Sequence, residues 1–148
     1  MECGDCTLCC EIFPVRWLDK PANSPCTFCD KGCLIHSEKP QECKDFNCAY
    51  AQSGSANIKY RPDKCGIVFE KISDRIFYGT LDPKKQIPDE GRNQIYAFNR
   101  QGFSVVLFSF HEKKPAFVVN QDHNVDEIRK EFYGHLKKLK SRYGSFRN

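Results

Sequence analysis

Nine of the ten cysteines in this 148-residue chain fall between Cys3 and Cys48. The series opens with Cys3-Gly4-Asp5-Cys6-Thr7-Leu8-Cys9-Cys10, continues with Cys26-Thr27-Phe28-Cys29 and Gly32-Cys33, and closes with Cys43 and Cys48. A Cys-x-x-Cys pair lets two thiolates from one tight turn converge on a common ion, at ~2.3 Å from each sulfur for zinc. Cys6 belongs to two such pairs, one with Cys3 and one with Cys9. The side chains of the adjacent Cys9 and Cys10 tend to diverge, so they do not suit one ion as simple terminal ligands. The expectation is therefore two neighbouring sites or one multinuclear cluster. Gly32 suits a backbone that turns sharply to aim Cys33 at the same place. The predicted metal ligands are Cys3, Cys6, Cys9, Cys10, Cys26, Cys29, Cys33, Cys43 and Cys48, with His36 a further imidazole in the region. Two four-coordinate zinc ions, or one [4Fe–4S] cluster and one zinc, would each need eight donors. Thiolates suit zinc and iron–sulfur clusters alike, so the metal stays open.

Each residue also has a plainer reading. Inert buried thiols at this density would be oxidation-prone, and a disulfide scaffold needs an oxidising compartment. Cys65 stands apart at the start of an apolar run and reads as a small core residue. His36 either ligates or packs and hydrogen-bonds beside the site. His111, His123 and His135 fall in a turn, a loop and a helix face without metal spacing, and read as surface residues. Asp5, Asp30 and Asp45 sit inside the cysteine groups, where they either orient ligands or simply reflect loop polarity. No GxSxG, P-loop, HExxH or GxGxxG element occurs, so no catalytic residue is assigned and no nucleotide cofactor is expected.

In this order and spacing the first 50 residues resemble the CxxCxxCC family of zinc- or iron-chelating domains, the cysteine cluster proteins. The resemblance rests on Cys3-Gly4-Asp5-Cys6 leading into Cys9-Cys10, the Cys26/Cys29 pair and Gly32-Cys33-Leu34-Ile35-His36. Lys39-Pro40 and Cys43-Lys44-Asp45-Phe46-Asn47-Cys48 complete it. His36 stands where the family often has Tyr, Lys39 where Arg is usual, and Tyr50 where Trp is frequent. The resemblance implies metal binding by zinc or iron and brings no settled reaction. A flagellin lysine methylase is similar in carrying such a cluster, which keeps an iron–sulfur enzyme in view.

The elements that must position these thiols divide near Gln52-Ser53-Gly54-Ser55-Ala56-Asn57, a polar, turn-prone stretch. Before it, Pro14, Pro21, Pro25 and Pro40 leave little regular structure. The only short apolar groupings there are Ile12-Phe13-Val15-Trp17-Leu18 and Cys33-Leu34-Ile35. Residues 1–52 read as a cysteine-rich module too poor in apolar area to form a core alone, so that bound metal must cross-link it. Residues 58–148 read as an α+β scaffold in the order β-β-α-β-β-α. Cys65–Ile72 and Arg75–Leu81 form a hairpin across Ser73-Asp74. A helix starts at Ile87-Pro88-Asp89-Glu90 and stops at Gly102. Phe103–Phe110 is a strand covered on both faces, paired with Pro115–Val119 across His111-Glu112-Lys113-Lys114. Val125, Ile128, Phe132, Leu136 and Leu139 mark a closing amphipathic helix capped by Asn124. The fold class is thus α+β, with the cysteine-rich loop module docked on a small antiparallel sheet with two helices, as one compact unit.

Charge and hydropathy narrow the function. Apolar residues make up 40% and charged residues 28% of the chain, a globular balance. The net charge is +4, but residues 1–65 carry 8 Lys/Arg against 9 Asp/Glu, so the cysteine half is not a basic nucleic-acid surface. No window approaches 18 consecutive apolar residues and no secretory leader pattern opens the sequence, so the expectation is a cytoplasmic location without a membrane span. The closing helix is basic through Arg129, Lys130, Lys137, Lys138, Lys140, Arg142 and Arg147, but lacks a stacking motif and reads as a solvated face. The leading expectation is a zinc- or iron-binding cysteine-cluster protein with a structural or chelating role. The alternatives are an iron–sulfur enzyme or redox protein acting in group transfer or protein modification, and a zinc-stabilised nucleic-acid or protein-binding module. Metal ions are the expected partners, a protein partner second.

Overall fold

The computed structural model describes residues 4–46, 48–112 and 114–143. Its centre is a four-stranded sheet in the order β1-β2-β3-β4, with β1 Ile67–Lys71, β2 Ile76–Leu81, β3 Ser104–Phe108 and β4 Ala116–Val118. Among the described residues, six α-helices accompany it. They are α1 Leu8–Ile12, α2 Gln41–Lys44, α3 Ala49–Ser53, α4 Pro62–Cys65, α5 Asp89–Arg100 and α6 Val125–Tyr143. The fold is α+β.

The sheet is mixed, not antiparallel. β1 and β2 form the hairpin the sequence predicts, with Phe69 opposite Gly79. β2 and β3, however, run parallel, with Tyr78 opposite Val106. Parallel neighbours need a long crossover, and the segment carrying α5 supplies it. β3 and β4 return to antiparallel pairing, with Val106 opposite Phe117. Lys113, which the sequence puts in the turn between them, lies outside the described residues.

Strand periodicity sends alternate residues to opposite faces, and both faces are covered. Val68, Ile76, Tyr78, Val106 and Phe108 pack on one side against Ile128, Phe132 and Leu139 of α6. Ile67, Phe69, Phe77 and Val105 pack on the other against Ile95 of α5, with Phe98 stacked on Phe77 at 3.9 Å. Asn124 caps α6 by accepting from the Asp126 and Glu127 amides at 2.9 and 3.2 Å. Gly102, at φ +94°, follows the last turn of α5 in the left-handed conformation the sequence anticipates.

Two expectations need correction. Cys65 does not open β1; it ends α4, fully buried, and its thiol donates to the Ile67 carbonyl at 3.2 Å. Pro62 at the first helical turn starts α4, and Gly66 ends it in left-handed backbone. Nor are there only two helices. The segment before the sheet folds into short helices despite its prolines. Leu8 and Ile12 of α1, with Phe13, join the same core as Val68, Tyr78 and Phe132. Four residues apart, Leu8 and Ile12 share one helix face, and burial of that face fixes α1 on the α6 side of the sheet.

Candidate metal centre

The docking of α1 sets the direction of the vicinal cysteines. With Leu8 and Ile12 turned into the core, Cys9 lies against the core edge. Cys10 faces the next loop, where the Cys26 amide donates to the Cys10 carbonyl at 3.1 Å. That loop closes on itself through an antiparallel bridge between Cys29 and Cys33. Gly32 turns it at φ +138°, and a Cβ there would lie 3.2 Å from the Gly4 carbonyl oxygen. A side chain at position 32 would crowd the Gly4 carbonyl by a few tenths of an ångström and would have to adopt a backbone conformation that favours glycine. Cys43 is carried by α2, and Cys48 immediately precedes α3. Phe46 between them packs on Phe13 at 4.7 Å, which holds this third loop to α1. Asn47 lies outside the described residues.

Together these loops enclose a cavity of about 760 Å³ lined by Cys6, Cys9, Cys10, Cys26, Cys33, Cys43 and Cys48. His36 reaches its wall, Val68 and Phe13 line its apolar part, and Leu18, Pro40 and Tyr50 complete it. Cys29 lines a smaller cavity of about 430 Å³, which shares Cys26 with the first. None of the described cysteines is in a disulfide, and those of the cluster are all half-buried. Cys3 lies outside the described residues. Among the described residues, no group of three or more Cys, His, Asp or Glu side chains is arranged to hold a metal ion as they stand. The thiols line one space without closing on a point. In donor type the lining fits a thiophilic ion: it is sulfur-rich, with one imidazole at its wall.

The thiols are not electrostatically equivalent. Hydrogen bonds from the Cys9 and then the Cys29 thiol hold Cys10 below the ordinary thiol value, against burial and with help from the Lys20 ammonium. Burial pushes Cys6 and Cys43 up to about 11. Cys29 is also raised, by burial first and then by the charge of Cys10. Cys10 is thus shifted in the opposite direction from Cys6, Cys29 and Cys43.

Two cations that the sequence reading missed frame this arrangement. Val15 and Lys20 pair across a tight turn, each amide donating to the other's carbonyl at 3.0 Å, and both side chains are buried. The Lys20 ammonium donates to the carbonyls of Phe13, Pro21 and Glu11. The second, Arg61, binds Asp63 at 2.6 Å and Asp5 at 2.5 Å. This guanidinium holds Asp5 below the usual carboxylate range and, against burial, does the same for Asp63. Asp5 is therefore the anchor of the first Cys-x-x-Cys turn and is spoken for by Arg61. A lone Lys or Arg in a loop has no sequence signature, because its role depends on which distant backbone it meets.

Of the remaining histidines, His111 is exposed as the sequence suggests, whereas His123 and His135 differ from expectation. His123 is half-buried, its Nδ1 2.8 Å from the Ser104 hydroxyl, which also accepts from the Asn120 amide. His135 is half-buried against the Tyr78 ring, with its Nε2 buried and without a hydrogen-bond partner. Neither reaches the cavity. Among the described residues, no helix is long and apolar enough to cross a membrane. Compared with protein families, with curated proteins and with solved structures, the chain matches none.

Proposed function

We propose that the chain binds a thiophilic metal, zinc or iron, through thiolates of the N-terminal cysteines, in a structural or chelating role. The observation that carries this reading is the cavity itself: seven cysteines from three separate loops line one space, free of disulfides. Binding needs those loops to close onto the ion, with the deprotonation that metal coordination drives. The order of Cys3, Cys6, Cys9, Cys10, Cys26, Cys29, Cys33, Cys43 and Cys48, with its resemblance to the CxxCxxCC family, supports the same reading. Thiol-rich coordination without a fixed open water position suits a closed site better than hydrolytic zinc chemistry. Free thiols at this density suit a reducing compartment such as the cytoplasm.

A second reading, an iron–sulfur enzyme or redox protein acting in group transfer, is favoured by one observation. A cavity of about 760 Å³ lies within the range of small-molecule pockets and exceeds what bare ions occupy. Elemental analysis of anaerobically purified protein tests both. Zinc without acid-labile sulfide supports the structural or chelating reading, iron with matching sulfide the enzyme reading. Protein that holds neither metal, and takes up neither on reconstitution, overturns both.

A further inference from the structure

Cys29 and Cys33 stand directly opposite each other across an antiparallel bridge, and among the described residues they are the only two cysteines paired in this way. The Leu34 amide donates to the Phe28 carbonyl at 2.8 Å, and the Asp30 amide donates to the Gly32 carbonyl at 3.0 Å. These two bonds lie on either side of the cysteines and do not join them, so the pair occupies a non-hydrogen-bonded position of the ladder. Opposed Cα atoms at such a position are about 4.5 Å apart, inside the range of about 4.4–6.8 Å that a disulfide spans. Opposed residues also send their side chains to the same face, with the Cβ atoms closest at these positions. The turn between them is set by Lys31 at φ +50° and Gly32 at φ +138°. Both thiols are free and half-buried, so a solute can reach them. Cys29 also closes a turn with Cys26, its amide donating to the Cys26 carbonyl at 3.1 Å. A turn limits only how far apart its ends lie, whereas the bridge sets separation and direction together.

We propose that Cys29 and Cys33 form a reversible dithiol–disulfide site whose oxidant is a low-molecular-weight disulfide of the glutathione type. The thiolate of one cysteine attacks a sulfur of that disulfide, forming a mixed disulfide and expelling one small thiolate. The thiolate of the other cysteine then attacks the protein sulfur of the mixed disulfide, forming the Cys29–Cys33 bond and expelling the second small thiolate. The protein dithiol is oxidised and the small disulfide is reduced. The protons lost by the two cysteines go to the two released thiolates. This site goes beyond the metal-binding reading and does not depend on it. Where metal is bound, closing the disulfide withdraws Cys29 and Cys33 from the thiols proposed to hold it.

The test uses the full chain, stripped of metal with a chelator, fully reduced, and held without oxygen in buffers of rising glutathione disulfide to glutathione ratio. Acid quenching, alkylation of the remaining thiols and fragmentation mass spectrometry then locate each disulfide. In wild type the first disulfide to form joins Cys29 to Cys33, while the other cysteines still alkylate, and excess glutathione reopens it. In denaturant the same bond needs a ratio about tenfold or more higher, because the pairing that holds the thiols opposite each other is gone. Cys33→Ser leaves Cys29 as a thiol or as a mixed disulfide with glutathione, and Cys26→Ser leaves the Cys29–Cys33 bond unchanged. A first disulfide from Cys29 to Cys26 or Cys10 overturns the proposal. So do Cys29 and Cys33 that still alkylate after other cysteines have oxidised. An equal ratio in native and denatured chain also overturns it, since nearness in sequence would then suffice. Where a variant does not fold, the wild-type mapping decides by itself. Metal content is read separately by elemental analysis, so neither result decides the other.

Discussion

The guanidinium of Arg142, on the last described turn of α6, donates to the backbone carbonyl of Asp45, 97 residues away between Cys43 and Cys48. The same side chain faces Glu70 at 3.8 Å. From the other direction, Arg16 donates to the carbonyls of Ser141, at 3.2 Å, and Arg142. The C-terminal end of the closing helix is thus tied to the loop that carries two of the cavity cysteines. A cation near that helix end also suits its dipole.

Arg142→Ala is expected to cost about 1 kcal/mol of stability, the loss of a charged hydrogen bond in a partly solvated setting. Under the metal reading it also speeds loss of the metal to a chelator, because the Cys43–Cys48 loop is released. Chemical denaturation and a chelator time course check the two effects. An unchanged chelation rate separates the helix tie from the site.

Ile12→Ala tests whether the cysteine-bearing segment and the sheet melt together. Ile12 is 1% exposed in the core shared with Val68 and Phe132, so its truncation is expected to cost about 2–5 kcal/mol. Unfolding followed by far-ultraviolet circular dichroism and by aromatic fluorescence should shift together. Two separate transitions, with only one moved, would show that α1 unfolds independently of the sheet.

Gly91→Ala is expected to be disproportionately damaging for one methyl group. A Cβ at Gly91 would lie 2.2 Å from the Cys65 carbonyl oxygen, a backbone atom that no rotamer change can clear. α5 must then move off α4, at a cost of about 1–3 kcal/mol or more. The buried Cys65 thiol, raised to about 11 by burial, should gain reactivity toward an alkylating reagent when α5 shifts. Alkylation rates in a variant retaining only Cys65 would measure this.

His135 makes the fold sensitive to mild acid. Burial first, then the nearby Lys138 and Arg142, lower its value below 6.5 in the folded protein. The unfolded chain therefore binds the proton more readily, and stability falls as pH drops below about 6.5 until the folded-state value is passed. Glu70, raised by burial with Arg142 opposing, acts in a window starting near the ordinary carboxylate value of 4.5. There folding favours its protonated form, and its contribution is lost as pH rises. His135→Phe should flatten the stability profile between pH 7 and about 5. Denaturation midpoints across that range provide the measurement, and an unaltered slope would remove His135 as the cause.

The parts of this protein legible in its sequence are those set by local chemistry. The β1–β2 hairpin follows from alternation around Ser73-Asp74, α5 from its acidic start and Gly102, and α6 from its apolar stride and the Asn124 cap. The cysteine series was equally plain, because spacing within a Cys-x-x-Cys turn is a local property. Tertiary structure decided whatever depended on partners distant along the chain. The parallel pairing of β2 with β3 follows from the α5 crossover and leaves no mark in either strand. α1 entered the core because Leu8 and Ile12 found the sheet face, and the three cysteine loops face one cavity because Gly32 meets Gly4 and Phe46 meets Phe13. Lys20 and His135 carry ordinary codes for surface residues. Only the backbone around them removed their water, and a charge or a ring nitrogen changes its meaning when water is replaced by protein.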